Sequence, residues 1–421
     1  MFAKRSVVLS GLMAVLMLSA VALAAKTEVC LWHHWDRNRE DMVQNMLDRF
    51  MAENPDVEAT QMMTPPASRA DKLITLLISG SAPEIVMVRS SYAFQIIKMG
   101  FLMPLDEHLT KDRISVTGFI PADLRPFQRD GKTYGLPVMS GAAWTNLMFY
   151  NKRLLLESGL PADVPRTWAE WREMSLRVTK RDAEDRLITA GTEIPSCVDA
   201  SYWNGASLWS DDWKRATIVS NGRLAETATF LKELHDKQFL TRSEYFSFMT
   251  GGIDDAFYLD RVGFAIRNSS TFNHLRTTEV DWGAGLAPRS GLHDDAVPMG
   301  LVLSTWAYSI PAQLSPAKFE ATWRLFKWLT VEEDAAGWFT RIQGRPSPIM
   351  RFNQHRDYRQ TNPYWEVVIR STEYTALAPP VNLSGVTTAL FTFLNGSLSL
   401  PQAMANAELD LQNQLDSYWA Q

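Results

Sequence analysis

The stretches TEVCLWHHW (residues 27–35), VEATQMM (57–63) and PEIVMVRSS (83–91) decide the fold of this chain. Each is a short run rich in apolar residues, which is typical of a buried strand. Between them, apolar residues recur at helical spacing in residues 42–50 and in SRADKLITLLISG (68–80). This order of strand, helix, strand, helix and strand predicts parallel strands joined by crossover helices in an open, doubly wound α/β layer.

Strands and helices continue to alternate beyond this layer. TNLMFYN (145–151) is predicted as a strand, and SPAKFEATWRLFKWLT (315–330) and LPQAMANAELDLQNQL (400–415) as helices. Gly131–Lys132–Thr133 suggests a phosphate-binding loop, but Pro126 stands where that motif needs a glycine, so DGKTYG is interpreted as a hairpin turn. No internal repeat or low-complexity tract divides the chain.

The composition of the 421 residues is that of an ordinary globular protein, with 46% hydrophobic and 21% charged residues. The formal net charge is −5, so nothing favours nucleic-acid binding. The 15 tryptophans are unusual, and they indicate a surface that handles flat amphipathic ligands in addition to the core.

The first 24 residues have the layout of a secretory signal peptide. Lys4 and Arg5 precede an uncharged apolar run, and Ala22 to Ala24 provide small residues for cleavage. An uncleaved signal anchor is the alternative, since the run approaches the length of a spanning helix. No later segment is apolar enough to span a membrane, so a periplasmic protein is expected. Cys30 and Cys197 are expected to be free thiols rather than a disulfide, because they fall in different parts of the fold.

Aromatic and charged residues follow the first and third strands. In an open α/β sheet, ligands bind at the carboxyl ends of the strands, where Trp32 to Asp36 and Arg89 to Ser91 are placed. Rings there could stack on a sugar, and Arg, Asp and His could hydrogen-bond its hydroxyls. The alternative is that Trp32 and Trp35 are core residues. A metal site at His33–His34 is disfavoured, because adjacent residues of a strand point in opposite directions and no third ligand is near.

Two acidic pairs, Asp254–Asp255 and Asp294–Asp295, could be interpreted as glycosidase carboxylates, but adjacent acids are more often solvated surface. No nucleophile elbow, zinc-protease or Cys-x-x-Cys motif occurs. The absence of a catalytic constellation favours a binding protein over an enzyme, and no cofactor is implied.

Six stretches resemble the extracellular solute-binding proteins of ABC transporters, specifically the carbohydrate-binding group that includes the maltose-binding protein. The order and spacing of these stretches carry the resemblance more than any single motif. Two features depart from the family pattern: Phe149 stands in place of a tyrosine, and a late Gly-x-Trp is absent. The stretches are LWHHWDRN (31–38), SGSAPEIVMVRSSYAFQIIKMGFLMPLDEHL (79–109), GKTYGLPVMSGAAWTNLMFYNKRLLLESGL (131–160), PRTWAEW (165–171), DRVGFAIRNSSTF (260–272) and YSIPAQLSPAKFEATWRLFKWLTVEEDAAGWFTRIQGRPSP (308–348).

The resemblance implies a two-lobed fold of the periplasmic-binding-protein type, in which each lobe is an open sheet flanked by helices. It places residues 25–139 and 269–309 in an N-terminal lobe, and residues 140–268 and 310–421 in a C-terminal lobe. Crossing segments are expected near residues 138–141, 267–270 and 309–311. The ligand would be held in the cleft between the lobes by residues that match family cleft positions: Trp32, His33, Asp36, Arg89, Trp144, Trp203, Asn204, Arg267 and Arg345.

The resemblance also implies a function. We expect a monomeric sugar- or oligosaccharide-binding protein that captures its ligand by hinge closure and delivers it to an ABC transporter permease. Two alternatives remain: the same fold with a charged solute, such as a glycerophosphodiester or a polyamine, and an exported glycoside hydrolase. Convergence of Arg89, Arg267 and Arg345 in the cleft would favour an anionic group.

Overall fold

A computed structural model describes residues 25–36, 38–65, 69–142, 145–249, 255–302, 305–376, 378–379 and 381–419. The predicted signal peptide (residues 1–24) and Trp144 therefore lie outside the described residues. Among the residues that are described, no helix combines the length and apolar character needed to cross a membrane.

Fourteen strands are found in the described part of the chain. In chain order they are Thr27–His33 (β1), Val57–Met63 (β2), Ile85–Arg89 (β3), Gln128–Arg129 (β4), Lys132–Thr133 (β5), Leu136–Met139 (β6), Leu147–Asn151 (β7), Lys180–Arg181 (β8), Leu187–Thr192 (β9), Val262–Arg267 (β10), Trp282–Leu286 (β11), Gly300–Leu301 (β12), Trp306–Ser309 (β13) and Thr375–Ala376 (β14).

The α-helices of the same residues are mostly short. In chain order they are Asn38–Glu53 (α1), Arg69–Ile78 (α2), Ser90–Lys98 (α3), Asp106–Lys111 (α4), Pro121–Leu124 (α5), Lys152–Glu157 (α6), Trp168–Val178 (α7), Cys197–Trp203 (α8), Gly222–Gln238 (α9), Arg242–Met249 (α10), Thr271–Leu275 (α11), Phe319–Thr330 (α12), Trp338–Ile342 (α13), Asp357–Thr361 (α14), Trp365–Glu373 (α15), Ser384–Leu394 (α16) and Leu400–Trp419 (α17).

The first lobe is built on a five-stranded sheet with the order β2-β1-β3-β13-β6. Strands β2, β1 and β3 are parallel, and β13 runs antiparallel to both β3 and β6. All of Leu31, Val86 and Val88 are inaccessible to solvent, because helices cover the sheet. Helix α1 turns Met46, Leu47 and their neighbours toward this core at helical spacing. The predicted strand–helix alternation over residues 27–91 is confirmed.

The second lobe is built on a separate five-stranded sheet with the order β11-β7-β10-β9-β8. Strands β9 and β10 are parallel, and β7 is antiparallel to its neighbours β10 and β11. Helices α7 to α9, together with α16 and α17, cover one apolar cluster of this lobe. A second cluster, around Phe149 and Phe257, includes Tyr358 and Trp365 from the later part of the chain. The two-lobed α/β architecture predicted from the sequence is therefore present.

The division of the chain between the lobes differs from the expected one after residue 268. Strand β11, expected in the first lobe, pairs with β7 of the second sheet. Helix α12, expected in the second lobe, contributes Leu325 and Phe326 to the core of the first lobe. The chain thus returns to the first lobe only at β13 and leaves it between Phe352 and Tyr358. The expected crossing at residues 138–141 adjoins an observed crossing between the lobes, from β6 to β7. At residues 267–270 and 309–311 the chain stays within one lobe. The physical reason is that β11 pairs with β7 at the edge of the second sheet, while α12 packs on the first lobe directly after β13 has joined the first sheet.

The predicted hairpin at DGKTYG is present as the pair β4 and β5. Asp130 and Gly131 at its tip have φ values of 50° and 74°, a left-handed conformation suited to a two-residue turn. The two cysteines are free thiols: Cys30 lies in the first lobe and Cys197 in the second.

A buried carboxylate lies beside the connection between β6 and β7. Asp123 is fully buried beside this crossing, and its Oδ1 accepts the backbone N–H of Gly141 at 2.8 Å. Burial disfavours the charged form and raises the pKa of Asp123 from 3.8 to about 7. Since the folded state holds this proton more tightly than the unfolded chain, the contribution of Asp123 to stability is largest at acidic pH and falls as the pH rises from about 4 to about 7.

We expect Asp123→Asn to relieve this cost, because its amide oxygen can still accept the Gly141 N–H without carrying a charge. The gain in unfolding free energy over the wild type should be about 2 kcal/mol larger at pH 8 than at pH 5. Chemical denaturation of both proteins at the two pH values measures this difference. The same gain or loss at both values would contradict the prediction.

Candidate functional site

The carboxyl ends of several strands from both sheets face the junction between the lobes. In the first lobe these are the ends of β1, β3 and β6, and in the second the ends of β9 and β10. The lobes touch here: Arg345 Nε of the first lobe lies 3.4 Å from Ser269 Oγ of the second. The rule that ligands bind at the carboxyl edge of such sheets makes this junction the candidate ligand cleft.

The aromatic segment after β1 lies deeper than the sequence suggests. Trp32 is fully buried and its Nε1 donates to Thr64 Oγ1 at 3.0 Å. His33 is also fully buried: its Nε2 pairs with Gln61 Oε1 at 2.8 Å and its Nδ1 accepts the Trp35 N–H at 3.0 Å. Burial lowers the pKa of His33 to about 4, so the ring is neutral. The first lobe itself satisfies the polar atoms of Trp32 and His33, so the fold does not favour their assignment to ligand contact, which stays a prediction.

The following residues approach the surface of the cleft. Trp35 is buried, donates its Nε1 to Tyr308 Oη at 2.9 Å and packs on the ring of Trp306. Asp36 is partly exposed and forms an ion pair with Arg39. The guanidinium of Arg39 in turn lies 5.3 Å from the centre of the Trp35 ring. Asp36 therefore stays a candidate for ligand contact, with its charge already balanced.

Two predicted arginines of the first lobe lie near this segment. Arg89 is the last residue of β3, where it pairs with Trp306 of β13, and it is half-buried. Arg345 follows helix α13, and its side chain is almost fully buried. Burial and the nearby Arg39 cation lower the pKa of Arg345 to about 9.

The predicted residues of the second lobe separate into two groups. Trp203 is fully buried in the core against Trp171, and Asn204 is fully buried with its Nδ2 donating to Glu226 Oε2 at 2.9 Å. Both lie at the end of helix α8 or directly after it, and Trp203 Nε1 and Asn204 Oδ1 have no hydrogen-bond partner in the described residues, so their assignment to the cleft stays a prediction. An aromatic residue in a helix that packs against another helix is core unless a cavity opens beside it.

Arg267 ends strand β10 and is held by two acids. Its Nη2 lies 2.6 Å from both Glu193 Oε2 and Asp255 Oδ2. Glu193 also accepts the N–H of Ile266 at 2.7 Å, yet burial raises its pKa to about 7. This cluster places one cation and two acids at the second lobe's side of the cleft, so Arg267 has no unbalanced charge to offer a ligand.

A cavity of about 560 Å³ opens between the lobes beside the start of helix α3. Phe94, one turn into this helix, contacts the ring of Tyr418 from the last turn of α17, with the ring centres 4.5 Å apart and the planes tilted by 52°. The second lobe also contributes the partly exposed rings of Trp213 and Trp419 to the lining, and Trp419 Nε1 donates a hydrogen bond of 2.7 Å to the carbonyl of Trp213. The charged residues that line the cavity are Arg125, Arg129 and Asp130.

Sequence reasoning missed this set of rings. Phe94 could have been found, because it lies one helical turn after the end of β3 and so stays at the sheet edge. Trp213 and Trp419 follow no strand of the second sheet, and only the packing of the long terminal helix brings them to the cleft. The described residues contain no group of three His, Cys, Asp or Glu side chains arranged for a metal ion.

Comparison with known proteins gives a consistent result. The family model described as "Bacterial extracellular solute-binding protein" matches residues 37–336, which is more than half of the chain. A protein from Brucella abortus (strain 2308), named only as a binding protein, is 25% identical over 346 residues, covering 80% of this chain and 78% of the relative. The arabinooligosaccharide-binding protein of Bacillus subtilis (strain 168) is 23% identical over 245 residues, covering 54% of each chain.

Solved structures share the fold over nearly the whole length. An ABC substrate-binding protein from Listeria monocytogenes, in complex with cycloalternan, superposes with a TM-score of 0.76 at 19% identity, covering 94% of this chain and 99% of the other. The maltose/maltodextrin-binding domain from Bdellovibrio bacteriovorus, bound to maltotriose, gives 0.73 at 20% identity, covering 92% and 99%. At sequence identities of this size, the structural similarity establishes a shared fold and nothing about the ligand.

Proposed function

Because this chain belongs to the family of bacterial extracellular solute-binding proteins, we propose that it captures an oligosaccharide between its lobes and delivers it to an ABC transporter permease. The observation that carries this proposal is the cavity between the lobes, which has aromatic rings from both sides. Ring faces cover the C–H faces of sugars, while charged groups bind the hydroxyls.

The size of the cavity supports a ligand of more than one sugar. Its volume of about 560 Å³ lies within the range of sites that enclose small organic ligands. Phe94 and Trp419 contribute apolar faces, and Arg129 and Asp130 contribute a donor and an acceptor at its border. The names of the relatives above, which refer to cycloalternan, maltotriose and arabinooligosaccharides, support the same class of ligand.

The two-lobed architecture supports capture by closure. A ligand that contacts Phe94 of the first lobe and Trp419 of the second makes both sets of contacts only when the lobes are together. It therefore stabilises the closed arrangement by the difference in its affinity for the closed and open states. A permease that recognises the closed arrangement would then receive only loaded protein.

We further propose that the protein is an exported monomer without enzymatic activity. Export follows from the predicted signal peptide and from the extracellular character of the family. Of the acids considered for glycoside hydrolysis, Asp255 binds Arg267 and Asp295 forms an exposed ion pair with Arg223 at 2.9 Å, whereas Asp254 lies outside the described residues. The carboxylate of Glu193 lies next to that of Asp255, and both acids bind the same guanidinium of Arg267.

Isothermal titration calorimetry against a panel of neutral and acidic mono- and oligosaccharides tests the proposal. We expect at least one oligosaccharide to bind with a micromolar or lower dissociation constant and to be recovered unhydrolysed. Binding of a non-carbohydrate solute, with no heat from any sugar, would contradict it. Release of reducing ends during the incubation would instead support the alternative of a glycoside hydrolase.

A further inference from the structure

Arg345 is the buried cation of the cleft that has no acidic partner among the described residues. Its side chain is 2% exposed, and Phe339 and Ile349, which flank it in the sequence, belong to the core of the first lobe. Its Nε makes one long hydrogen bond of 3.4 Å to Ser269 Oγ across the cleft, and its Nη2 has no partner in the described part of the chain. The ion pairs of the described residues include none with Arg345.

A guanidinium in this position is costly to the protein alone. Removal of a cation from water costs free energy unless an anion and hydrogen bonds replace the water. Arg39 lies near enough to repel Arg345, and together with burial it lowers the pKa of this guanidinium to about 9. The first lobe thus buries the positive charge of Arg345 without an acidic partner among its described residues.

The neighbouring charges of the cleft are compensated. Arg39 pairs with Asp36, and Arg267 pairs with both Glu193 and Asp255. Of these three arginines, Arg345 alone offers a ligand a positive charge without an acidic partner in the described part of the chain, which suits a group with a negative charge. A guanidinium is planar and presents two parallel N–H groups, a geometry that matches the two oxygens of a carboxylate.

We propose that the oligosaccharide carries a carboxylate, as a uronic acid does, and that Arg345 binds this group when the lobes close. The inference rests on the proposed function, because it specifies the chemistry of the same ligand. Ser269 covers Arg345 from the second lobe, so separation of the lobes opens a route to the guanidinium. The carboxylate then replaces the weak contact to Ser269 and occupies the unpaired side of Arg345.

Two ligands that differ in one group test this assignment: an oligosaccharide with one uronic acid, and the same oligosaccharide with a neutral hydroxymethyl group there. For the wild-type protein we expect the acidic form to bind at least about tenfold more tightly in low salt, the effect of one charge-assisted hydrogen-bonded pair. This advantage should shrink as salt is added. Equal affinity for both forms would overturn the inference while leaving an oligosaccharide-binding protein.

Substitution of the arginine provides the second arm. In Arg345→Gln the preference for the acidic form should fall to less than about threefold, and Arg345→Lys should keep part of it. Arg186→Gln is the control, because Arg186 is an exposed arginine on the hairpin between β8 and β9, with its side chain 75% exposed. An unchanged preference in Arg345→Gln would overturn the assignment. If this variant does not fold, the wild-type comparison and Arg345→Lys decide. If neither ligand binds, and no sugar of the panel binds either, the proposed function itself is rejected.

Discussion

Replacement of Trp419 or of Phe94 by alanine is expected to weaken oligosaccharide binding about 30-fold in each case. Trp419 is 47% exposed at the end of α17, and the ring centre of Phe94 lies 4.5 Å from that of the adjacent Tyr418. Truncation of a central aromatic residue of a binding site costs about 2 kcal/mol, which corresponds to this factor. Because one ring belongs to each lobe, a loss in both variants would show that the ligand contacts both lobes.

Leu409→Ala is the matched control for this experiment. Leu409 lies on the same helix as Trp419 and is 63% exposed, but it does not line the cavity. Its substitution should leave the dissociation constant within about twofold of wild type. Thermal unfolding of all three variants verifies that they are folded. Wild-type affinity in both ring variants would contradict the cavity as the ligand site, and a loss in Trp419→Ala alone would contradict capture by both lobes.

Gly191→Ala is expected to destabilise the second lobe by about 3 kcal/mol or more. Gly191 lies in β9, directly against helix α7, and a Cβ at this position would be 1.9 Å from the carbonyl oxygen of Ser175. This neighbour is backbone, so it cannot turn aside, and the helix would have to move from the sheet. The shift would also displace Glu193, two residues further, from its ion pair with Arg267.

Gly222→Ala serves as the control for Gly191→Ala. Gly222 is the first residue of α9, and a Cβ there would meet no heavy atom within 4 Å. Alanine favours a helix over glycine, so the stability should be unchanged or raised by up to about 1 kcal/mol. Denaturation in urea, followed by circular dichroism, measures both changes. A midpoint for Gly191→Ala within error of the wild type would contradict the close packing of β9 on α7.

The sequence predicts the sheets well, because strand and helix periodicity reports burial directly. Residues 27–91 form the predicted units, since Val86 and Val88 have no alternative to a covered sheet. The site residues are predicted less well, because periodicity reports burial but not whether a buried residue borders a cleft. Trp32 and Trp203 are large apolar residues close to a strand or helix end, and local sequence cannot distinguish one that faces a cleft from one that faces the core.

The features that the sequence does not predict depend on long-range packing. The cleft receives Trp419 from the end of the chain and Phe94 from its first quarter, and no local signal joins them. The return of the chain at β13 depends on which sheet edge accepts the strand, so the lobe boundaries after residue 268 were placed wrongly. Arg345 matches a family position in the sequence, whereas its burial near Arg39 depends on the tertiary fold.

A crystal structure of the protein with its tightest oligosaccharide tests the central claim most directly. We predict that sugar rings lie in the cavity between the lobes, in contact with Phe94 on one side and with Trp213 or Trp419 on the other. A ligand that contacts residues of one lobe only, with this cavity left open, would contradict the account.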